Sequence, residues 1–244
     1  MRVQVIGCGD AFGSGGRAHT CFLVDAPDGP VLIDCGASAL IKLKEYKVDP
    51  DTIGTILITH LHGDHFGGLV FLLREASLYK RRDKPLLIAG PPGLRERLEA
   101  AIEVFFPGGA ALPTSIALEI VELKPVRTQL RDDLHVTAYP VIHPCGAVPY
   151  ALRLELADKV IGYTADTLWV DALVEVGRQA DVFIAEAYTW EHPFGSHLAY
   201  QTLRQRLADI QPKRTLLTHL GPEMLQRASE VDQEIAHDGL VLEI

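Results

Sequence analysis

Thr59-His60-Leu61-His62-Gly63-Asp64-His65-Phe66-Gly67-Gly68 brings three imidazoles and a carboxylate together within six residues. The apolar run Thr55-Ile56-Leu57-Ile58 before it reads as a buried strand, and a helical stretch opens behind it at Gly67. All four side chains therefore fall on one strand-to-helix turn, which is short enough to aim several donors at one point. Imidazole nitrogen and carboxylate oxygen are the donors that zinc and its borderline neighbours accept, about four per ion. A lone histidine in a loop is usually just that. Four titratable groups in this register are crowded for no reason unless a cation neutralises them.

Working outward, the chain alternates strand and helix, with hairpins at its start. Met1-Arg2-Val3-Gln4-Val5-Ile6 reads as a strand rather than a signal peptide, and it enters the glycine-rich loop Gly7 to Arg17. That loop has neither the ending of a phosphate-binding Walker loop nor a dinucleotide fingerprint, and is expected to be a flexible rim closing over a site. Strands follow at His19 to Val24 and up to Asp34, then a helix from Ser38 to Tyr46. Beyond the ligand turn come a strand at Leu86 to Ala89 and a helix opening at Pro91-Pro92. Phe105 to Gly109 breaks the pattern, and strand-like alternation returns from Ser115 to Tyr139. Further strands are expected at Tyr150 to Leu156, Val160 to Tyr163, Val182 to Ala185 and Thr215 to Thr218, with helices at Leu168 to Gly177, Ser196 to Asp209 and Pro222 to Ala236. Three more ligand candidates, His143, Asp166 and His219, sit at the ends of strand-like runs, the edge of a layered sheet on which side chains converge.

The 244 residues are 48% hydrophobic, enough for a packed core, and contain no apolar run of 18 residues. A soluble, cytoplasmic protein without a membrane partner is the expectation. With 23 basic against 32 acidic residues the net charge is −9, which gives no general electrostatic footprint for long nucleic acid. The dense basic run Lys80-Arg81-Arg82-Asp83-Lys84 reads as a solvated loop. Cys8, Cys21, Cys35 and Cys145 form no paired motif and are expected as free buried thiols, with Cys145 open to oxidation beside His143.

His60-x-His62-x-Asp64-His65 resembles the signature of the metallo-β-lactamase-fold hydrolases, and the resemblance runs through nearly the whole chain. It implies an α/β fold, the four-layer αβ/βα sandwich, as one domain of two pseudo-equivalent halves at about residues 1–112 and 113–244. It also implies two divalent ions, zinc first and manganese second. His60, His62 and His143 would hold one, Asp64, His65 and His219 the other, and Asp166 would bridge them; a hydroxide bridging such a pair is a nucleophile at neutral pH. In the resembled family an aspartate at the place of Asp34 steadies the ligand turn; the bland reading is a helix N-cap. Asp166 stands where one large β-lactamase subclass has cysteine, and His62 where diiron oxygen-reducing relatives have glutamate, so the resemblance favours hydrolysis over redox chemistry.

Glu186 with His197 resembles the acid and histidine pair of the ribonuclease Z and phosphodiesterase branch, and with Asp64 completes the catalytic set the resemblance implies. His192 is a weaker candidate for the place of His197. Ribonuclease Z enzymes carry a long arm that grips transfer RNA between the equivalents of His143 and Asp166, whereas here only Pro144 to Ala165 intervene. The function expected is therefore metal-dependent cleavage of a small nucleotide or sugar phosphodiester, cyclic ones included. A ribonuclease Z-like nuclease processing transfer-RNA 3′ ends, a lactone or ester hydrolase, and a binding protein without turnover are the competing readings. Homodimer formation is expected by analogy with the branch.

Overall fold

The computed structural model describes residues 1–79, 82, 84–108 and 116–244. Two seven-stranded sheets form. The first comprises β1 (Arg2–Gly7), β2 (Cys21–Val24), β3 (Val31–Ile33), β4 (Thr55–Leu57), β5 (Leu86–Gly90), β6 (Leu118–Glu122) and, from the far end of the chain, β14 (Val241–Glu243). The second comprises β7 (Arg127–Arg131), β8 (Leu134–Pro140), β9 (Tyr150–Leu156), β10 (Lys159–Tyr163), β11 (Val182–Glu186), β12 (Thr215–Thr218) and β13 (Glu234–Ile235). The pairing pattern repeats: strands run antiparallel up to β3 in one sheet and β10 in the other, then parallel across β3-β4-β5-β6 and β10-β11-β12-β13.

Period-two alternation explains the layers. On β2 and β3, Phe22, Val24, Val31 and Ile33 face the second sheet, while Cys21, Leu23 and Leu32 face helices. On β11, Val182 and Ile184 join the inter-sheet core and Phe183 and Ala185 face the other way. Helices α1 (Ala39–Glu45), α3 (Gly68–Tyr79) and α4 (Leu94–Phe105) cover the first sheet through Leu43, Leu69, Leu73, Leu94 and Leu98. Helices α5 (Ala172–Gly177), α6 (Tyr200–Ile210) and α7 (Pro222–Gln226) cover the second through Leu173, Leu203, Ile210 and Met224. Three apolar interfaces between four layers give the expected αβ/βα sandwich.

Several local readings change. The ligand turn is itself helical, as α2 (Gly63–Phe66) precedes α3. The helix after β5 begins at Leu94 behind Gly93 in the left-handed region, so Pro91 and Pro92 form the turn before it and not its first turn. The expected helix to Ala236 stops at Gln226, because Glu234–Ile235 pair with β12 instead. The boundary drawn between 112 and 113 lies outside the described residues, and sheet membership carries the first half to Glu122 and returns Val241–Glu243 to it. Of the basic run, Lys80, Arg81 and Asp83 lie outside the described residues. Arg82 is buried, donating to the carbonyls of Pro50, Asp51, Ile53 and Pro85, so at that residue the solvated reading fails. All four cysteines are free and buried. Among the described residues no helix is long and apolar enough to cross a membrane.

Candidate metal centre and active site

The site lies at the carboxyl ends of the parallel strands of both sheets. Asp34 follows β3, His60 follows β4, Asp166 follows β10, Glu186 closes β11 and His219 follows β12. This is the edge where open α/β sheets bind ligands, because the strands end there and loops with free side chains begin. His143, on the loop after β8, completes the set.

All seven residues expected as ligands come together. His60, His62 and His143 offer nitrogens close enough to hold one ion, and Asp64, His65, Asp166 and His219 offer a second group of donors, the atoms of each group lying within 4.8 Å of one another. His143 Nε2 is 3.0 Å from His62 Nδ1 and 3.8 Å from Asp166 Oδ2. Asp166 stands between the groups: its Oδ1 is 3.3 Å from His65 Nε2, and its Oδ2 is 3.4 Å from His219 Nε2 and 3.8 Å from His60 Nε2. His219 Nε2 is also 3.4 Å from Asp64 Oδ2.

The donors fit a cation. Among the described residues, His60 Nε2, His65 Nε2 and Asp166 Oδ1 are buried without a hydrogen-bond partner, a costly state for polar atoms unless something else satisfies them. Burial lowers His60 well below its usual 6.5 and takes His143 down to about 4, so both rings are neutral and keep a lone pair for a metal. Around the second group burial opposes charge, but the mutual attraction of carboxylates and rings outweighs it. Asp64 and Asp166 are held well below the usual carboxylate range, His65 is raised well above 6.5, and His219 is raised to about 9. Two carboxylates that draw protons onto both neighbouring rings make a field that calls for positive charge.

Supporting contacts fix the candidate ligands. Asp34 is fully buried and accepts from Thr59 N–H and Oγ1–H at 2.9 Å, while its Oδ2 lies 2.7 Å from His65 Nδ1. That leaves His65 Nε2 aimed at the cluster. Asp34 does not cap the following helix, whose N-cap is Ser38. Ser196 Oγ lies 2.8 Å from His143 Nδ1. The turn docks by backbone: Cys35 N–H donates to His65 O, and Gly68 N–H to Cys35 O. A Cβ on Gly36 would lie 2.2 Å from Asp64 O and one on Gly68 2.3 Å from Gly36 O, so only glycine allows this approach.

Glu186 and His197 also meet. His197 Nδ1 lies 3.0 Å from Glu186 Oε2, whose other oxygen accepts the N–H groups of Thr167 and Leu198. Burial works against a charged His197 ring, but the Glu186 carboxylate raises its pKa above 6.5. His197 precedes α6 instead of lying in its first turns, and His192 is exposed and absent from the cluster.

The cavity over these groups holds about 180 Å3 and is lined by Asp10, Ala11, Phe12, His62, Asp64, His143, Asp166, Tyr188, His197 and His219. The glycine-rich loop thus forms part of its wall. The buried Asp10 holds that loop by accepting from Phe12 N–H, Ser14 N–H and Ser14 Oγ–H at 3.2, 2.8 and 2.6 Å. Tyr188, two residues beyond Glu186, leans on His197 with ring centroids 4.7 Å apart. Sequence reasoning passes over Thr59, Ser196, Tyr188 and Phe12; only the adjacency of the first two to His60 and His197 hints at them.

The family model described as anti-Pycsar protein Apyc1 matches residues 1–240. Ribonuclease Z of Haloferax volcanii is 28% identical over 308 aligned positions, spanning 100% of this chain and 95% of that protein. The probable metallo-hydrolase YhfI of Bacillus subtilis is 26% identical over 90% of this chain and 87% of its own, and its crystal structure, a metallo-β-lactamase fold, superposes with a TM-score of 0.78 at 24% identity over 100% and 99% of the two chains. The crystal structure of the short form of human tRNase Z matches with the same TM-score, 0.78, at 24% identity over 100% and 99%.

Proposed function

The chain belongs to the anti-Pycsar protein Apyc1 family, as a metallo-hydrolase of the ribonuclease Z-like branch of the metallo-β-lactamase fold, and from that premise we propose that it is a phosphodiesterase acting on small nucleotide or sugar phosphodiesters, cyclic ones included. The observation that carries the reading is the Glu186–His197 pair, 3.0 Å apart on the wall of the cavity that holds the ligand cluster. Ester and lactone hydrolysis needs no acid at that place. Phosphodiester cleavage does, because an alkoxide leaves badly without a proton.

His60, His62 and His143 would hold one divalent ion and Asp64, His65 and His219 a second, with Asp166 between them. Zinc or manganese bound there supplies a Lewis acid for phosphoryl oxygens and acidifies water to a nucleophile. The chain's own residues do the rest. Glu186 occupies Nδ1 of His197, which leaves Nε2 as the nitrogen that can donate into the cavity. Thr167 and Leu198 fix the far oxygen of Glu186, so the ring keeps its orientation through the reaction. With its pKa raised by Glu186 against the effect of burial, His197 keeps its proton to higher pH than an ordinary imidazole, and activity is expected to fall as pH rises through that pKa.

Transfer-RNA processing is the second reading, favoured by full-length similarity to a ribonuclease Z. Against it, the segment from His143 to Asp166 is a loop and the β9–β10 hairpin, with nothing left over to grip a long RNA. Protein loaded with zinc or manganese is expected to cleave bis(p-nitrophenyl) phosphate and cyclic mononucleotides, with none of this in Asp64→Ala. His197→Ala is expected to lose roughly 10²–10⁴ in phosphodiester turnover while sparing lactones. Turnover confined to a precursor transfer RNA, or equal loss on lactones and phosphodiesters, would refute the proposal.

A further inference from the structure

His197 sits on irregular chain between β11 and α6, in a turn closed by its own N–H donating to Phe194 O at 3.1 Å. Its side chain has one polar anchor, Glu186 Oε2 at 3.0 Å from Nδ1. A single contact of this kind fixes one edge of an imidazole and leaves the ring free to tilt about that edge. A proton donor does not tolerate the tilt, since a misplacement of about 1 Å at the reacting atoms can cost roughly a hundredfold in rate. The plane of the ring has to be set by whatever lies against it.

Three rings do. His219 stacks on His197 at 5.3 Å and 17°, and His143 meets it edge-on at 4.9 Å and 65°. Both are candidate ligands, so their own positions answer to a cation. Tyr188, at 4.7 Å and 31°, belongs to none of the donor groups. Its backbone is tied on both sides: its N–H donates to Leu198 O at 2.9 Å, and its carbonyl accepts from Gly221 N–H at 3.0 Å. It thereby joins the residue after His197 to the turn after His219. Gly221 leaves room for the ring, because a Cβ there would lie 2.6 Å from Tyr188 O and 3.2 Å from two of its ring carbons. Phe194, from the same turn as His197, packs on Tyr188 at 6.0 Å and 28°. An aromatic side chain so anchored is a broad, rigid face for another ring to lie on.

We propose that Tyr188 is a positioning residue for the proton donor: its ring sets the plane of the His197 imidazole while Glu186 holds the edge, so that Nε2 is aimed into the cavity. This rests on the phosphodiesterase reading and deepens it, adding to the Glu186–His197 pair the group that aims it. The ring is what acts, and the tyrosine hydroxyl is dispensable.

The test compares zinc-loaded wild type, Tyr188→Phe, Tyr188→Leu and His197→Ala on methyl phosphodiesters of a series of phenols, from 4-nitrophenol to phenol itself. Tyr188 is half-buried, and Tyr188→Met takes the place of Tyr188→Leu if thermal denaturation shows the latter unfolded. The more basic the departing phenolate, the more it needs a proton, so the slope of log kcat against leaving-group pKa reports how well the donor is placed. Tyr188→Leu is expected to steepen the slope toward that of His197→Ala, losing about tenfold to a hundredfold in kcat on the phenyl ester and least on the nitrophenyl ester, with KM nearly unchanged. Tyr188→Phe is expected to keep the wild-type slope. A uniform loss across the series in Tyr188→Leu, or no loss, would overturn the proposal. So would a slope as steep in Tyr188→Phe, which would assign the role to the hydroxyl. Absence of turnover in the wild type, or a wild-type slope in His197→Ala, would instead defeat the proton-donor reading. In that event carbon-13 relaxation of the His197 ring, assigned by its loss in His197→Ala, decides the positioning without turnover. A ring rigid in wild type and Tyr188→Phe but mobile in Tyr188→Leu supports it, and one equally rigid in all three refutes it.

Discussion

Asp34 shows how much a candidate metal site depends on one side chain outside its donor groups. Its backbone has φ +56°, it has no exposure to solvent, and its two oxygens are shared between Thr59 and His65. Asparagine tolerates the left-handed region nearly as well as aspartate, so Asp34→Asn tests the charge and not the backbone. The amide cannot accept from Thr59 and from His65 Nδ1 with both of its heavy atoms, and the ring loses the partner that fixes its tautomer. Metal affinity is expected to fall about 10- to 100-fold with the fold intact, read by competition against a chromogenic chelator alongside a circular-dichroism spectrum. Unchanged affinity would reduce Asp34 to a structural residue. At this scale the candidate ligands are legible in the sequence because His60, His62, Asp64 and His65 are local to one turn, and the strand ends mark His143, Asp166 and His219. Phe12, Tyr188 and Ser196 are not, because each acquires its place only when distant strand ends converge.

Among the elements, the junction of β10, β11 and β12 is tied by Asp181. Its carboxylate accepts Val160 N–H at 2.9 Å and Lys213 Nζ at 2.8 Å, with Lys159 Nζ at 4.0 Å. Burial raises its pKa, but Lys213, the Val160 N–H and Lys159 together lower it below the ordinary aspartate value. A depressed folded-state pKa means stability that is complete above the unfolded value and is lost as pH falls through the folded one. Asp181→Asn is therefore expected to cost about 1 kcal/mol near neutrality, or roughly 2–4 °C in Tm. The gap from wild type should close as pH drops below about 4, as followed by thermal denaturation at a series of pH values. A constant gap across pH would assign the loss to packing. Strands are the legible part of this scale, since alternation on β2, β3 and β11 shows which residues face which layer. What pairing decides is hidden: Glu234–Ile235 read as helix until β12 offers its edge, and Arg82 reads as solvated until four carbonyls surround its guanidinium.

Across the whole molecule, the candidate ligands divide between the two sheets: His60, His62, Asp64 and His65 come from the first, and His143, Asp166 and His219 from the second. Backbone bonds already stitch the halves at this edge, Tyr150 N–H donating to Thr59 O at 3.0 Å and His219 N–H to Cys8 O at 3.0 Å. A cation held by donors from both halves binds the assembled sandwich and not the unfolded chain, so binding free energy becomes folding free energy. At about a hundred times its Kd, a single metal stabilises by about 2.7 kcal/mol. For a chain of this size that is roughly 5–11 °C in Tm. Zinc or manganese added to chelated protein is expected to raise Tm by this order or more in differential scanning calorimetry. Asp166→Ala should abolish most of the rise, because it removes the carboxylate that faces both donor groups, whereas Phe12→Ala at the cavity mouth should keep it. A rise that survives Asp166→Ala undiminished would place the ion elsewhere, and no rise in the wild type would mean that the buried donors hold no ion. Calorimetric steps with metal stoichiometry then distinguish one ion from two, since His60, His62 and His143 form a group that can fill apart from Asp64, His65 and His219.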